Sequence, residues 1–133
     1  MVEKKQIEKQ YEDLMAEKVK SIEEGKYEGT IIDIQRDLSN YDYTRYVVKV
    51  EKLNLDMNVS FPTRITYSDD EKRTCSSEHA KFLDRMGIKL EIGESAKRIT
   101  ELMGKKISFL VANKKTERGT FAEIVKDTIK LTK

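Results

Sequence analysis

The sequence predicts a mainly β domain of five strands. A helical segment lies between the third and fourth, and an amphipathic helix precedes the first. Three observations carry this. Apolar residues recur at spacings of three and four up to residue 24, and at a spacing of two in most later segments. Glycines and polar turn residues bound the alternating runs. The chain has 133 residues, one domain's worth and enough for a single modest core.

Residues 3 to about 24 read as the helix. Ile7, Tyr11, Leu14, Met15, Val19 and Ile22 form a narrow apolar stripe with Glu and Lys between them, and Gly25 is a natural stop. The stripe must lie either on its own domain or on a neighbouring copy, so these six residues are candidate self-association contacts. Residues 1–24 are thus an added helix, and 25–133 the main domain. The first strand, residues 26–34 (KYEGTIIDI), carries Gly29 inside it, a mark of a bulge or sharp coiling. Residues 36–44 (RDLSNYDYT) have turn chemistry. The second strand, 45–53, puts Tyr46, Val48 and Val50 on one face and Arg45, Val47 and Lys49 on the other. The third, 56–62, alternates Met57, Val59 and Phe61 with polar residues and ends at Pro62, the one proline. A polar stretch, 63–77, leads to a helix over 78–86, capped by Ser76 or Ser77 and stopped by Gly87. A second helical pattern spans 94–103. The fourth strand covers 105–113, KKTERG (114–119) forms a hairpin loop, and 120–131 is the last strand region. Three strands, a helical segment and two strands are the connectivity of the OB-fold, a partly open five-stranded Greek-key barrel.

Composition narrows the function. Lys and Arg number 26 against 24 Asp and Glu, a net charge of +2, so any electrostatic argument rests on where the charges sit. A lone cysteine, Cys75, forms no internal disulfide, and with a lone histidine, His79, it makes a poor zinc site. No apolar run approaches the roughly 20 residues of a membrane helix, and the first residues lack a signal core. A soluble, cytoplasmic protein without a membrane partner is expected. Asp69-Asp70-Glu71 reads as a solvated loop rather than a magnesium site, and there is no phosphate-cradling glycine loop. The expectation is a non-enzyme with no metal, cofactor or small-molecule substrate.

The stretches GKYEGTIIDI and LMGKKISFLVANKKTERGTFAEIVKDTI, with the helical link between strands three and four, resemble OB-fold single-stranded DNA-binding proteins. Among these the sequence is most similar to the divergent members of phages and conjugative plasmids. The resemblance spans residues 25 to about 130. It implies single-stranded DNA as partner, in replication, recombination or transfer. Housekeeping bacterial members carry a long tail ending in acidic residues and often stack bases on tryptophan. This sequence ends in DTIKLTK and has no tryptophan, so tail-mediated recruitment is not expected of it.

Binding a single strand without sequence preference needs cations along the phosphates and flat rings for the bases. In an OB-fold these sit on strands two and three and in the loops after strands one and four. The candidates there are Arg36, Tyr41, Tyr43, Arg45, Lys49, Phe61, Arg64, Tyr67, Lys114, Lys115, Arg118 and Phe121. Tyr46, Tyr27 and Phe109 share parity with apolar neighbours and read as core. Phe61 does too, but ends its strand beside Pro62, where it could emerge at the groove edge. Tyr41 and Tyr43 sit among polar residues and read as ligand contacts. Lys114 and Lys115 read either as phosphate contacts or as solvated surface. Asp42, inside the tyrosine cluster, either faces away or holds Arg36 or Arg45. RNA, or a peptide docking on the same rings, are the alternative partners.

Overall fold

The structure is a computed structural model and describes residues 4–14, 16, 22–69 and 74–132. Its elements are α1 (Lys4–Gln10), β1 (Gly25–Asp37), β2 (Tyr43–Val50), β3 (Leu55–Pro62), α2 (Glu78–Arg85), β4 (Lys106–Thr116), β5 (Gly119–Ile124) and β6 (Lys130–Leu131). Short 3-10 helices occupy Glu51–Leu53, Ala96–Leu102 and Lys126–Thr128. The strands form one antiparallel sheet in the order β3-β2-β1-β4-β5, and β6 also pairs with β4. The end strands β3 and β5 approach one another. Among the described residues they do not pair, so the sheet curls without closing.

The five alternating runs are all strands, with shifted ends. The expected last strand is broken in two by the Lys126–Thr128 turn. There the Thr128 hydroxyl accepts the Leu110 N–H at 2.9 Å, in place of a ladder partner. The helical pattern at 94–103 is a 3-10 segment, Ala96–Leu102, capped by Ser95. The chain ahead of β1 departs most. Among the described residues its helix spans Lys4–Gln10 and ends in single turns, with Ile7, Tyr11 and Leu14 exposed. A helix this short has too few internal hydrogen bonds to persist by itself, and the described residues give its stripe no packing surface. Ile22 packs against the core of the domain. Met15, Val19, Asp70 and Glu71 lie outside the described residues.

β1 bends so that it serves two partners. Its first half pairs with β4 and its second with β2. Gly29 permits the close approach of β2, because a Cβ there would sit 2.5 Å from Val48 Cγ1 and 2.9 Å from the Lys49 carbonyl oxygen. A bulge follows. Ile31 faces Val48 and Asp33 faces Val47, which leaves Ile32 as the extra, exposed residue.

The inward faces carry Tyr27 and Ile31, Tyr46 with Val48 and Val50, Met57 with Val59 and Phe61, and Ile107 with Phe109 and Val111. α2 closes this core with Phe82 and Leu83, and Ser77 caps it by accepting the Ala80 N–H. Its second residue, His79, is completely buried. The His79 Nδ1 lies 2.9 Å from the Thr63 carbonyl, which can only accept, so Nδ1 carries the proton. Nε2 then accepts the Tyr46 hydroxyl at 2.6 Å. The imidazole lies parallel to the Phe61 ring, centroids 5.7 Å apart, and Phe61 stacks on Phe82 at 4.7 Å. Burial lowers the His79 pKa, against a smaller opposing effect of the Thr63 hydrogen bond, and it raises that of the Tyr46 phenol.

Three outcomes follow from this packing. The stabilisation from the neutral His79 ring is complete above the unfolded pKa of about 6.5 and is lost as pH falls below it. Urea unfolding at pH 7.5 and 5.5 should show this loss in the wild type. It should be reduced in His79→Leu, whose stability at pH 7.5 is already lower. Tyr46→Phe strands the acceptor nitrogen and costs about 1–3 kcal/mol. Gly29→Ala overpacks the β1–β2 contact and should lower stability by about 1–3 kcal/mol in the same assay.

Candidate nucleic-acid interface

The outward face of β2 is set by the inward face. With Thr44, Tyr46, Val48 and Val50 buried, Tyr43, Arg45, Val47 and Lys49 point the other way. The register then assembles rows across β1, β2 and β3: Asp37–Tyr43–Pro62, Gln35–Arg45–Ser60, Asp33–Val47–Asn58 and Thr30–Lys49–Asp56. Single-sequence reasoning missed Gln35, Asp37, Asn58 and Ser60, because cross-strand neighbours depend on register. One clue was legible: Asp37 and Ser39 have the spacing of an Asx turn. The Asp37 carboxylate accepts both the N–H and the hydroxyl of Ser39.

The β1–β2 connection is shorter than the turn chemistry suggested. Asp37 closes β1 and Tyr43 opens β2, so the turn proper is residues 38–42. Across its mouth Arg36 and Asp42 form a two-pronged ion pair, Nε to Oδ1 at 2.8 Å and the second prong through the guanidinium terminus. The hydrogen bonds from Arg36 are the main reason the Asp42 carboxyl titrates down at about 2, with the Thr63 side chain adding to them. The Asp42 carbonyl also accepts the Thr63 N–H at 2.9 Å. Tyr41 and Tyr43 are held in edge-to-face contact, centroids 6.2 Å apart at 88°, with 73% and 38% of their surfaces exposed. Arg45 donates to Asp37 at 3.2 Å and to Gln35 at 3.3 Å. Ser39, more than Arg45, holds the Asp37 carboxyl below its ordinary value.

The second aromatic element lies at the other end of β1. Gly25, the first residue of β1, pairs with Val111, and β4 runs on past it into a hairpin with β5. Most of the expected KKTERG loop is strand, because Lys114, Lys115 and Thr116 pair with Phe121, Thr120 and Gly119 around a two-residue Glu117-Arg118 turn. Lys114 is therefore the cross-strand neighbour of Phe121, which is 54% exposed. Lys115, one residue on, points to the opposite face. The two lysines do not act as a pair, and Arg118 sits at the tip.

Of the three other candidates, Phe61 and Tyr67 are placed differently from expectation, and Arg64 is not. Phe61 is 1% exposed and packed against both His79 and Phe82, so it offers no platform to a base. Its parity decided its position, and the neighbouring Pro62 did not turn it outward. Tyr67 is half-buried; its hydroxyl accepts the Leu90 N–H at 3.2 Å and it lines a groove with Ile65 and Ile92. Arg64 is exposed on the segment after β3.

Among the described residues no three His, Cys, Asp or Glu side chains converge in a metal-binding group, and no helix is long and apolar enough to cross a membrane. No protein-family model matches the chain, and no curated protein matches it.

The clamp on the tyrosine turn is measurable. An NMR titration should place the Asp42 carboxyl midpoint near 2. Arg36→Met should return it towards about 3.9, the ordinary aspartate value. The clamp persists at neutral pH and opens only as pH falls through that low midpoint.

Proposed function

We propose that this chain is a non-catalytic OB-fold protein that binds single-stranded DNA with little sequence preference, in the replication, recombination or transfer of a phage or plasmid. The strand order β3-β2-β1-β4-β5, the helix between β3 and β4, and the approach of β3 to β5 support the fold. One observation carries the function. Exposed rings stand at both ends of the outer face of β1: Tyr41 and Tyr43 at one end, Phe121 beside Lys114 at the other. Every base has a π-face, so such platforms hold a strand whatever its sequence. Edge-to-face contact leaves the faces of the tyrosine pair available for a further ring.

The charges temper the affinity. Arg36 and Arg45 are already paired with Asp42 and Asp37, and Asp33 and Asp56 lie on the same face. A bound strand would thus make few phosphate contacts, and the salt dependence would be moderate. The same pairing favours a second reading, in which the tyrosines anchor a protein partner.

Fluorescence anisotropy with labelled single-stranded DNA, duplex DNA and RNA of matched length separates these. The expected result is salt-sensitive binding to single-stranded DNA over duplex, with similar affinity across sequences. Tyr41→Ala, Tyr43→Ala and Phe121→Ala should each weaken it by about 1–3 kcal/mol, with unchanged circular dichroism. Preference for the RNA would reassign the ligand. No binding to any oligomer at low ionic strength would defeat the reading and favour the protein partner.

A further inference from the structure

Between the two aromatic ends lies a groove of about 500 Å³, lined by Lys26, Glu28 and Thr30 of β1, by Glu51 and Lys52 of the turn after β2, and by Lys106 of β4. Thr30 pairs with Lys49 on one side and with Lys106 on the other. Lys26 and Glu28 share its parity and hence its face. Lys52 reaches in from the 3-10 turn, its ammonium 5.7 Å from the centre of the Tyr27 ring, a favourable seat for a cation.

Three ammonium groups and two carboxylates share the groove. Among the described residues none of the five is in an ion pair. The arginines at the tyrosine end, by contrast, are neutralised by aspartates. The groove lysines are thus available to meet an outside anion, as are Lys49 and Lys114 on the same face. Lysine suits a phosphate that need not be held in one geometry, being a point charge on a flexible stem. A cleft lined by such charges also focuses their field.

The groove is also in line with the rings. Lys26 pairs one step from Gly25, where the hairpin bearing Phe121 departs. Beyond Thr30 and Lys49, the outer face continues through Val47 and Arg45 to Tyr43. We propose that this groove is a phosphodiester-binding channel, in which Lys26, Lys52 and Lys106 contact the backbone of a strand spanning from Tyr41 and Tyr43 to Phe121. This rests on the single-strand-binding reading above. It adds that the strand runs along β1, with stacking at the ends and phosphate contacts in the middle.

The test is the salt dependence of binding to oligothymidylate. A K26Q/K52Q/K106Q variant is compared with the wild type. A K5Q/K9Q/K97Q control changes net charge equally at exposed sites elsewhere. Each phosphate contact to a single strand contributes about 0.7 to the slope of log K against log salt. The groove variant should therefore lose about 2 from the slope, and the control nothing. An unchanged slope in the groove variant, or an equal loss in the control, would overturn the channel and leave the single-strand reading standing. A wild type that binds no oligothymidylate at low salt would overturn both.

Discussion

The hydrogen-bonded chain Tyr46–His79–Thr63 holds the architecture together. α2 has eight residues and could not persist alone. Its docking depends on one buried imidazole that accepts from a phenol on β2 and donates to a carbonyl just past β3. With Tyr46 fixed inward, a register slip on β2 would bury Arg45 and expose Val48, so the outward set is fixed too. Thr63 continues the chain towards the surface. Its N–H meets the Asp42 carbonyl and its hydroxyl meets that of Thr44 at 2.8 Å. The core that receives the histidine and the turn that presents the tyrosines therefore share a residue.

Period-two alternation made most of the sheet legible in the sequence. Tyr46 as core and Tyr43, Arg45 and Lys49 as its outward neighbours follow from parity alone, and Gly29 announced the tight coil in β1. What stayed hidden depends on contacts across distance. Nothing local tells that Phe61 stacks on His79, or that Asp42 clamps Arg36 rather than Arg45. The lysine doublet at 114–115 looked like one feature because the hairpin's turn was placed too early; pairing up to Thr116 sends the two side chains to opposite faces. The first helix was overextended because periodicity reports a possible stripe and not the surface that would hold it. The groove lysines 26, 52 and 106 are scattered in sequence, and only the fold makes them neighbours.

The outer face divides its labour between fixed and unengaged charge. Near Tyr41 and Tyr43 each arginine is tied to a carboxylate, which holds the turn at the expense of net positive potential. At exposed sites such pairs add little stability, so their main effect is on position. Along the first half of β1 the groove lysines are in no ion pair among the described residues. A face built this way presents its tyrosine rings in a defined pose and keeps its unpaired groove cations apart from them. It also accounts for a near-neutral chain that nonetheless concentrates aromatic surface at two points.

The bend of β1 also orders assembly. β1, β2 and β3 are successive hairpin-like neighbours, with contacts between residues close in the chain. β4 reaches β1 only through pairs such as Tyr27 with Phe109, which close a loop over most of the domain. Loop-closure entropy makes the local meander the earlier product and the β4 pairing the later one. Until β4 arrives, the first half of β1 is an unpaired edge, open to strand exchange with other nascent chains. Lys26 and Glu28 lie along that edge. Their charges give the unfinished sheet a kinetic guard against self-templating before its own strand comes home.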